Sequence, residues 1–314
     1  MFQGMEYMYT VYEEKSFSKA AKRLFISQPS LSATVKRIEE QLGYPVFDRS
    51  SKPLKLTEFG KEYIKTVEKM QSLQNQFTDF VNDWEGLQTG QLILGGSNLF
   101  SSWVLPPLMS SFSQKFPMIH LELKEETTVE LATLLQNGKI DLMLDNCELD
   151  DVVFDRCLYQ EEHLLLAVPQ QLEINQSLNS YQIPLDAIRN GTFLDDSFIP
   201  VPLDAFQDQS FIMMKPENDT GKRAFAMLKK YGLHPRIIFE LDQQMTSFNV
   251  TCSGMGISFI SDTLITRVPF AGNVVYYKLP EEYSCRKIYF YWKHGRYFSR
   301  AMKEFLVMNS DYPE

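Results

Sequence analysis

The sequence predicts a multidomain α/β protein, with a small N-terminal helical module, a long connecting helix and a larger α/β domain of two lobes. Three observations predict this organisation. Short helical patterns with cap and turn residues fill residues 1–58. An apolar stripe at helical spacing then continues without proline to about Leu87. From Gln91 onward, apolar strand-like runs alternate with helical segments in two successive sets.

Composition and charge limit the class of protein. The chain has 314 residues, 44% of them hydrophobic and 23% charged, which is typical of a globular protein of two or three domains. A formal net charge of -9 argues against a protein that coats nucleic acid over its whole surface. Residues 1–60 nevertheless hold 9 basic and 7 acidic residues, which leaves 22 basic and 33 acidic residues elsewhere. The net charge is therefore +2 in this segment and -11 beyond it, the sign that a local DNA contact requires.

The four cysteines are scattered, with no CxxC pair, at Cys147, Cys157, Cys252 and Cys285. This spacing indicates neither a zinc site nor a disulfide scaffold, so reduced thiols in a cytoplasmic protein are expected. No basic segment followed by an apolar one opens the sequence, and no stretch of about 20 mostly apolar residues suggests a membrane span. We therefore expect a cytoplasmic protein without a membrane partner.

The N-terminal module is predicted to contain three helices. The apolar face of the first consists of Met5, Met8, Tyr9 and Tyr12. Ser16 is a suitable N-cap for the second helix, and Phe25-Ile26 forms the turn that follows it. Ser27 is a suitable N-cap for the third helix, and Pro29 falls in its first turn, where a missing N–H costs little.

The third helix carries the clearest functional pattern. Its core-facing sector consists of Leu31, Val35, Ile38 and Leu42, and Gly43 ends it. The opposite face has small residues near the N-terminus and cations further along, which suits insertion into the major groove of DNA. Two short strands, Val46-Phe47 and Leu54–Leu56, then enclose a basic hairpin wing. The candidate DNA-binding residues are Ser27, Gln28, Pro29, Ser30, Ser32, Ala33, Lys36, Arg37, Arg49 and Lys52.

This periodicity alone also fits any three-helix cluster with a solvated basic face. The particular residues favour a DNA-binding module, because segment 16–60 resembles the N-terminal winged helix-turn-helix domain of LysR-type transcriptional regulators. The matching motifs are SFSKAAKRL, SQPSLS, Ile38-Glu39 with Leu42-Gly43, Phe47-Asp48-Arg49 and LTEFG at 56–60. One departure is Tyr44-Pro45-Val46 before Phe47, where the family more often has an aliphatic pair.

A long helix is predicted from an N-cap at Thr57, giving a linker over residues 58–88. Its apolar stripe has a period near 3.5 and consists of Tyr63, Val67, Met70, Leu73, Phe77, Phe80, Trp84 and Leu87. The stripe could pack on its own domain or on the same helix of a second subunit. The second interpretation is favoured, and the resemblance implies a homodimer, with a dimer of dimers as a further assembly.

Residues 90–308 are predicted to form an effector-binding domain. Its two strand–helix sets predict lobe I over 90–161 and 269–308 and lobe II over 162–268, with parallel sheets. The chain is expected to cross between lobes near Gln160–His163 and near Arg267–Phe270. This half resembles the effector-binding half of the same family, which is similar to a periplasmic binding protein. The matching segments are GQLILGGS, PMIHLELKEETTVELATLLQNGKIDLML and CSGMGISFIS.

A cleft between two such lobes is a common ligand site, because strand ends and helix N-termini converge there. The candidate effector-binding residues are Ser97, Asn98, Ser101, Ser102, Thr127, Thr128, Met213, Lys215, Asn218, Met255 and Gly256. For each Ser or Thr alone, a simple helix cap is the alternative interpretation. Helix N-termini favour anions, so a small anion or an amino-acid-like effector is expected.

The resemblance implies a ligand-responsive regulator that binds promoter DNA, with contact to RNA polymerase as a further partner. Catalysis is not indicated, because the sequence has no GxxxxGK[ST] loop, no GxSxG elbow and no HExxH motif. Neither a cofactor nor a metal site is expected. A thiol-based redox sensor is the alternative, resting on Cys147 and Cys157, although only Arg156 adds a nearby positive charge. An enzyme that uses the α/β cleft is a weaker alternative.

Overall fold

The computed structural model describes residues 3–84, 90–269 and 273–313. The chain divides into two compact units, Met1–Phe80 and Val81–Glu314. Two sequence predictions, on Leu87 and Phe270, fall outside the described residues. None of the helices in these ranges is long and apolar enough to cross a lipid bilayer.

The first unit contains the predicted three helices, the hairpin wing and most of the long helix. Its elements are α1 (Met5–Glu14), α2 (Phe17–Arg23), α3 (Gln28–Leu42), β1 (Phe47–Asp48), β2 (Lys55–Leu56) and α4 (Glu58–Trp84). The Oγ atoms of Ser16 and Ser27 accept hydrogen bonds from the N–H groups of Lys19 and Ser30, at 3.4 and 3.3 Å. Both serines are therefore the N-caps that the sequence predicts.

The core of this unit fixes how α3 is presented. Leu31, Val35 and Ile38 are buried, as predicted, against residues of α1, α2 and α4. Gly60, in the first turn of α4, lies against the wing, since an added Cβ would clash with the Val46 carbonyl oxygen. Gly43 ends α3 with a φ of 79°, a conformation that glycine adopts without strain.

Helix α4 changes character along its length. Tyr63, Ile64 and Val67 are buried in the core of the first unit. Further along, Leu73 and Phe77 are each 65% exposed, and the side chains of Phe77 and Phe80 stack at 6.3 Å between ring centroids. The apolar stripe thus extends beyond the part of the helix that packs on its own module.

The second unit is an α/β domain. Its elements are β3 (Gly90–Gly96), a π-helical turn (Phe100–Val104), α5 (Leu105–Lys115), β4 (Ile119–Glu125), α6 (Thr128–Gln136), β5 (Leu142–Asp145), β6 (Phe154–Pro169), α7 (Ile174–Ser177), β7 (Gln182–Ile183), α8 (Leu185–Arg189), β8 (Ser210–Met214), α9 (Asp219–Lys230), β9 (Arg236–Leu241), α10 (Gln244–Cys252), β10 (Ile257–Ser261), α11 (Asp262–Arg267), β11 (Val274–Lys278), α12 (Glu281–Ser284), β12 (Cys285–Lys293) and α13 (Arg300–Asn309).

The strands form two lobes joined by the 16-residue strand β6. In lobe I, β3 pairs in parallel with β4 and β5, and β12 pairs antiparallel with β5 and with the first part of β6. In lobe II, β8 pairs in parallel with β9 and β10, and β10 and β11 flank the second part of β6 antiparallel. The sheets are therefore mixed rather than wholly parallel.

The chain crosses between the lobes in β6 and again before β12. His163 pairs with Cys285 of β12, whereas Leu164 pairs with Ser261 of β10, so the first crossing lies at the end of the predicted range. Strand β11 pairs with β6 in lobe II, so the return crossing lies between Lys278 and Cys285. The structure thus places this crossing later than the predicted Arg267–Phe270, because a strand pattern does not reveal which sheet a strand joins.

Candidate functional site

The outward face of α3 is open at its N-terminus. Ser27, Gln28, Pro29 and Ser30 are exposed, and Ser32 is half-buried beside them. Ala33, Lys36 and Arg37 are exposed one to two turns further along. The Nζ of Lys36 lies 3.8 Å from Glu40 Oε1, and the Lys36 side chain is 71% exposed. Such an exposed pair is weak, so Glu40 does not hold the Lys36 ammonium group firmly.

The two wing cations differ in their surroundings. Lys52 is exposed in the hairpin between β1 and β2. Arg49 donates from Nη2 to Glu39 Oε2 at 2.9 Å, and its guanidinium lies 5.2 Å from the centre of the Phe17 ring. The other oxygen of Glu39 accepts from the N–H groups of Val46 and Phe47, at 2.8 and 3.1 Å. Glu39, which the sequence named only as part of a family motif without a role, therefore connects α3 to the wing, with Arg49 as its partner.

A cleft of about 650 Å³ lies between the lobes of the second unit. Ser97, Thr127 and Thr128 line it from lobe I, and Lys215 and Asn218 line it from lobe II, so five of the predicted effector residues come together. None of the other lining residues was predicted from the sequence as effector-binding, and they include Asp145, Asn146, Cys147, Asp219, Thr220, Arg223, Asp242, Gln244, Tyr283 and Arg286.

Several of the predicted cleft residues also cap helices or pair with neighbours. Thr127 caps α6 through a reciprocal arrangement with Glu130, and Asn218 Oδ1 caps α9 by accepting from the Thr220 N–H at 2.9 Å. Thr128 Oγ1 donates to Asp145 Oδ2 at 3.0 Å. Lys215 Nζ donates to Asp242 Oδ2 at 2.7 Å. The helix-cap interpretation thus describes Thr127 even though it faces the cleft, and Asn218 is a further cap that also faces the cleft.

The other six predicted residues are not among the cleft lining. Met213 is fully buried in the core of lobe II, and Met255 is exposed outside the cleft. Gly256 lies against backbone, since an added Cβ would be 2.9 Å from the Ser210 carbonyl oxygen.

The remaining three lie just beyond β3. Asn98 donates to Glu125 Oε1 at 2.8 Å, buried Ser101 donates to the Asn98 carbonyl at 3.3 Å, and Ser102 is exposed. A position at a strand end is readable from sequence, but the direction of the side chain is not.

Four charged residues form a cluster where the lobes meet, and we call Glu162, Asp219, Arg223 and Arg286 the hinge ion cluster. Arg286 donates from Nε to Glu162 Oε2 at 2.6 Å and from Nη1 to Asp219 Oδ2 at 2.9 Å. Arg223 Nε donates to the same Asp219 oxygen at 2.8 Å. Glu162 and Arg286 stand in short polar stretches just before the apolar runs of β6 and β12, where nothing in the local sequence distinguishes them from surface charges.

Burial and neighbouring charges shift the pKa values of three residues that line the cleft, Arg286, Asp145 and Cys147. Burial lowers the pKa of the Arg286 guanidinium, but Glu162 and Asp219 outweigh it and raise that pKa above its ordinary value. Burial also raises the pKa of Asp145, against the hydrogen bonds that it accepts. The same cause raises the pKa of the Cys147 thiol far above its ordinary range, so this cysteine has little thiolate character.

All four cysteines lie within the described ranges, and none forms a disulfide.

A helix-turn-helix module with an exposed third helix, together with a two-lobed domain that encloses a polar cleft, defines a ligand-responsive DNA-binding regulator. Residues 2–61 match the family described as bacterial regulatory helix-turn-helix protein, lysR family. Residues 85–308 match the LysR substrate binding domain. The chain belongs to the LysR family of transcriptional regulators, with a DNA-binding domain and an effector-binding domain.

Relatives of full length bear regulator names. A probable RuBisCO transcriptional regulator of Emiliania huxleyi is 27% identical over 303 residues, covering 94% of this chain and 90% of that protein. The uncharacterised HTH-type transcriptional regulator YcgK of Bacillus subtilis is 24% identical over 311 residues, covering 98% and 93%.

Solved structures share the fold at low sequence identity. A full-length cysteine-to-aspartate variant of OxyR from Pseudomonas aeruginosa has a TM-score of 0.70 at 18% identity, covering 98% of this chain and 94% of that one. Full-length CbnR complexed with its target DNA has a TM-score of 0.65 at 18% identity, covering 98% of both chains. The effector-binding domain of QuiR in complex with shikimate has a TM-score of 0.56 at 17% identity, covering 71% of this chain and 97% of that one.

Proposed function

We propose that this protein reads promoter DNA with the N-terminal half of α3 as a homodimer and responds to a small molecule bound in the cleft between its lobes. The observation that carries the proposal is the exposed, small-residue first turn of α3, followed by solvent-facing Lys36 and Arg37. Short side chains allow close approach to base edges, and the cations neutralise phosphates. The DNA-bound form of the CbnR neighbour supports this role.

In this proposal Ser27, Gln28, Pro29, Ser30, Ser32 and Ala33 approach the bases, and Lys36, Arg37 and the wing residue Lys52 contact phosphates. Arg49 has a different role from the others, because Glu39 and the Phe17 ring already hold its guanidinium. Arg49 thus orients the wing and contacts phosphate with its exposed edge.

Dimerisation uses the distal part of α4. Leu73 and Phe77 continue the apolar stripe at 65% exposure each, and pairing with the same helix of a second copy would remove them from water. A symmetric dimer would read two half-sites about 34 Å apart or a multiple of that distance. A dimer of dimers and a contact with RNA polymerase stay predictions.

The cleft is the proposed effector site, with Ser97, Thr127, Thr128, Lys215 and Asn218 among its lining. An effector that binds one arrangement of the lobes better than another shifts the population of that arrangement and thereby alters DNA binding. The shikimate complex of the QuiR neighbour supports a small-molecule site of this kind. In this proposal the protein acts by binding DNA and effector, without a catalytic step. It acts in the cytoplasm.

A gel-shift titration with the DNA upstream of its own gene tests the proposal. Ser32→Ala should alter sequence preference, whereas Lys36→Ala should weaken binding to all sequences and reduce the salt slope by about 1. Lys65→Ala is the matched control, because Lys65 also forms an exposed 3.8 Å ion pair, with Glu62, on α4 rather than on α3. Equal losses from Lys36→Ala and Lys65→Ala, or no binding above random DNA at moderate salt, would contradict the proposal.

A further inference from the structure

The hinge ion cluster contains a ready-made position for an anionic oxygen. One atom, Asp219 Oδ2, accepts from both Arg223 Nε at 2.8 Å and Arg286 Nη1 at 2.9 Å. Two guanidinium groups converging on one oxygen is the arrangement that proteins use for carboxylate and phosphate ligands. Here a side chain of the protein itself occupies that position.

Both guanidinium groups are held in place by contacts other than Asp219. Arg223 Nη1 donates to the Cys285 carbonyl at 3.0 Å and to the Tyr283 carbonyl at 3.4 Å. Arg286 donates from Nε to Glu162 Oε2 at 2.6 Å and from Nη1 to Thr220 Oγ1 at 2.9 Å. The arginines would therefore remain near their positions without the Asp219 carboxylate.

Of the two acidic residues in the cluster, Asp219 is the one that lines the cleft. It lines the cleft and is 19% exposed, whereas the Glu162 side chain is 0% exposed and does not line it. Asp219 also opens the 12-residue helix α9, where a carboxylate is favoured by the unpaired N–H groups. Its carboxylate is thus both held by the arginines and in contact with the ligand space.

The charges of the cluster cancel. Two guanidinium groups face the two carboxylates of Glu162 and Asp219, and Lys215 on the same wall is paired with Asp242 at 2.7 Å. Arg223 also lines the cleft and is 26% exposed, but its Nε is already paired with Asp219, so an anion that entered beside Asp219 would compete with that carboxylate for the guanidinium. Burying a charge without a counter-charge is costly, so an anionic group at this position is disfavoured.

We propose that Asp219 is a built-in counter-ion that fills the anion position of the cleft and selects an effector with no negative charge at that point. The effector then places a neutral or cationic polar group beside Asp219, which reverses at this position the anion expected from helix N-termini alone. This inference rests on the proposed function of the cleft and deepens it.

A sulfate titration of the full-length protein tests this selection. We measure the melting temperature, Tm, in low-millimolar sulfate against chloride of equal ionic strength for the wild type, Asp219→Asn and Asp242→Asn. Asp219→Asn leaves the two guanidinium groups with one carboxylate, so it should gain a saturable rise in Tm of about 3 °C at ten times the sulfate Kd. Asp242→Asn removes the same charge from an exposed pair on the same cleft and should match the wild type, without a saturable response.

Three results would overturn the inference: a saturable sulfate response in the wild type, no gain in Asp219→Asn, or an equal gain in Asp242→Asn. Asp219→Ser is the second variant if Asp219→Asn does not fold. The wild-type titration needs neither variant, because a saturable sulfate response there already overturns the inference. The titration is separate from DNA binding. A failure of the proposed function would appear in the gel shift, while the sulfate result would still decide the role of Asp219.

Discussion

Replacing Arg286 by methionine should destabilise the effector-binding domain strongly. The Arg286 side chain is 1% exposed and the Glu162 side chain is 0% exposed, at an Nε–Oε2 distance of 2.6 Å. Within the described part of the chain Glu162 Oε1 has no hydrogen-bond partner, and Oε2 accepts from Arg286 and from the neutral Asn146 amide at 3.1 Å. Arg286 therefore supplies the positive charge that compensates the buried Glu162 carboxylate. Removing one partner of a buried ion pair costs about 3–5 kcal/mol, because it leaves the other charge uncompensated.

Thermal unfolding of the full-length protein followed by circular dichroism measures this effect. A loss of that size should lower the Tm of the effector-binding domain by roughly 10 °C. The double variant Arg286→Met with Glu162→Leu removes both charges and should recover much of the loss. Lys215→Ala is the control, since it breaks an exposed ion pair at the same cleft and should leave the Tm almost unchanged. The reasoning is refuted if Arg286→Met melts like Lys215→Ala, or if the double variant is less stable than Arg286→Met.

Three other changes should have distinct effects. Gly60→Ala should lower the Tm of the first unit and weaken DNA binding, because the new Cβ would clash with the Val46 carbonyl oxygen; calorimetry and gel shift would measure both losses. Phe77→Glu should convert the dimer to a monomer in analytical ultracentrifugation, and an unchanged sedimentation coefficient would exclude α4 as the interface. Iodoacetamide should modify Cys147 slowly at neutral pH, since burial raises the pKa of its thiol; rapid labelling in the folded protein would revive the redox-sensor alternative.

The N-terminal module was the part of the fold most readable from sequence. Its caps at Ser16 and Ser27 and its stop at Gly43 depend on contacts within a few residues, and its core residues follow the helical period, so local sequence patterns capture both. The role of Glu39 was harder to read, because it depends on the wing folding back onto α3. The orientation of Arg49 was inaccessible for the same reason.

The sequence predicted the two strand–helix sets of the effector-binding domain, but it did not predict which strands pair with one another. Strand β11 looks the same in sequence whichever lobe it joins, and only its pairing with β6 assigns it to lobe II. The cleft showed the same limit, since Thr128 and Lys215 reach it while Met213 points into the core. Arg286 and Glu162 are 124 positions apart, and no local pattern predicts their contact.

Selection of binding sites from a random DNA library by the full-length protein tests the central claim most directly. A homodimer that reads DNA through two symmetric α3 helices should enrich an inverted repeat whose half-sites are separated by about 10 base pairs or a multiple of that spacing. The enriched sequence should be bound at least about 1000-fold more tightly than random DNA at moderate salt. Recovery of no common sequence, or equal affinity for the selected and starting pools, would contradict the assignment of this chain as a sequence-specific dimeric regulator.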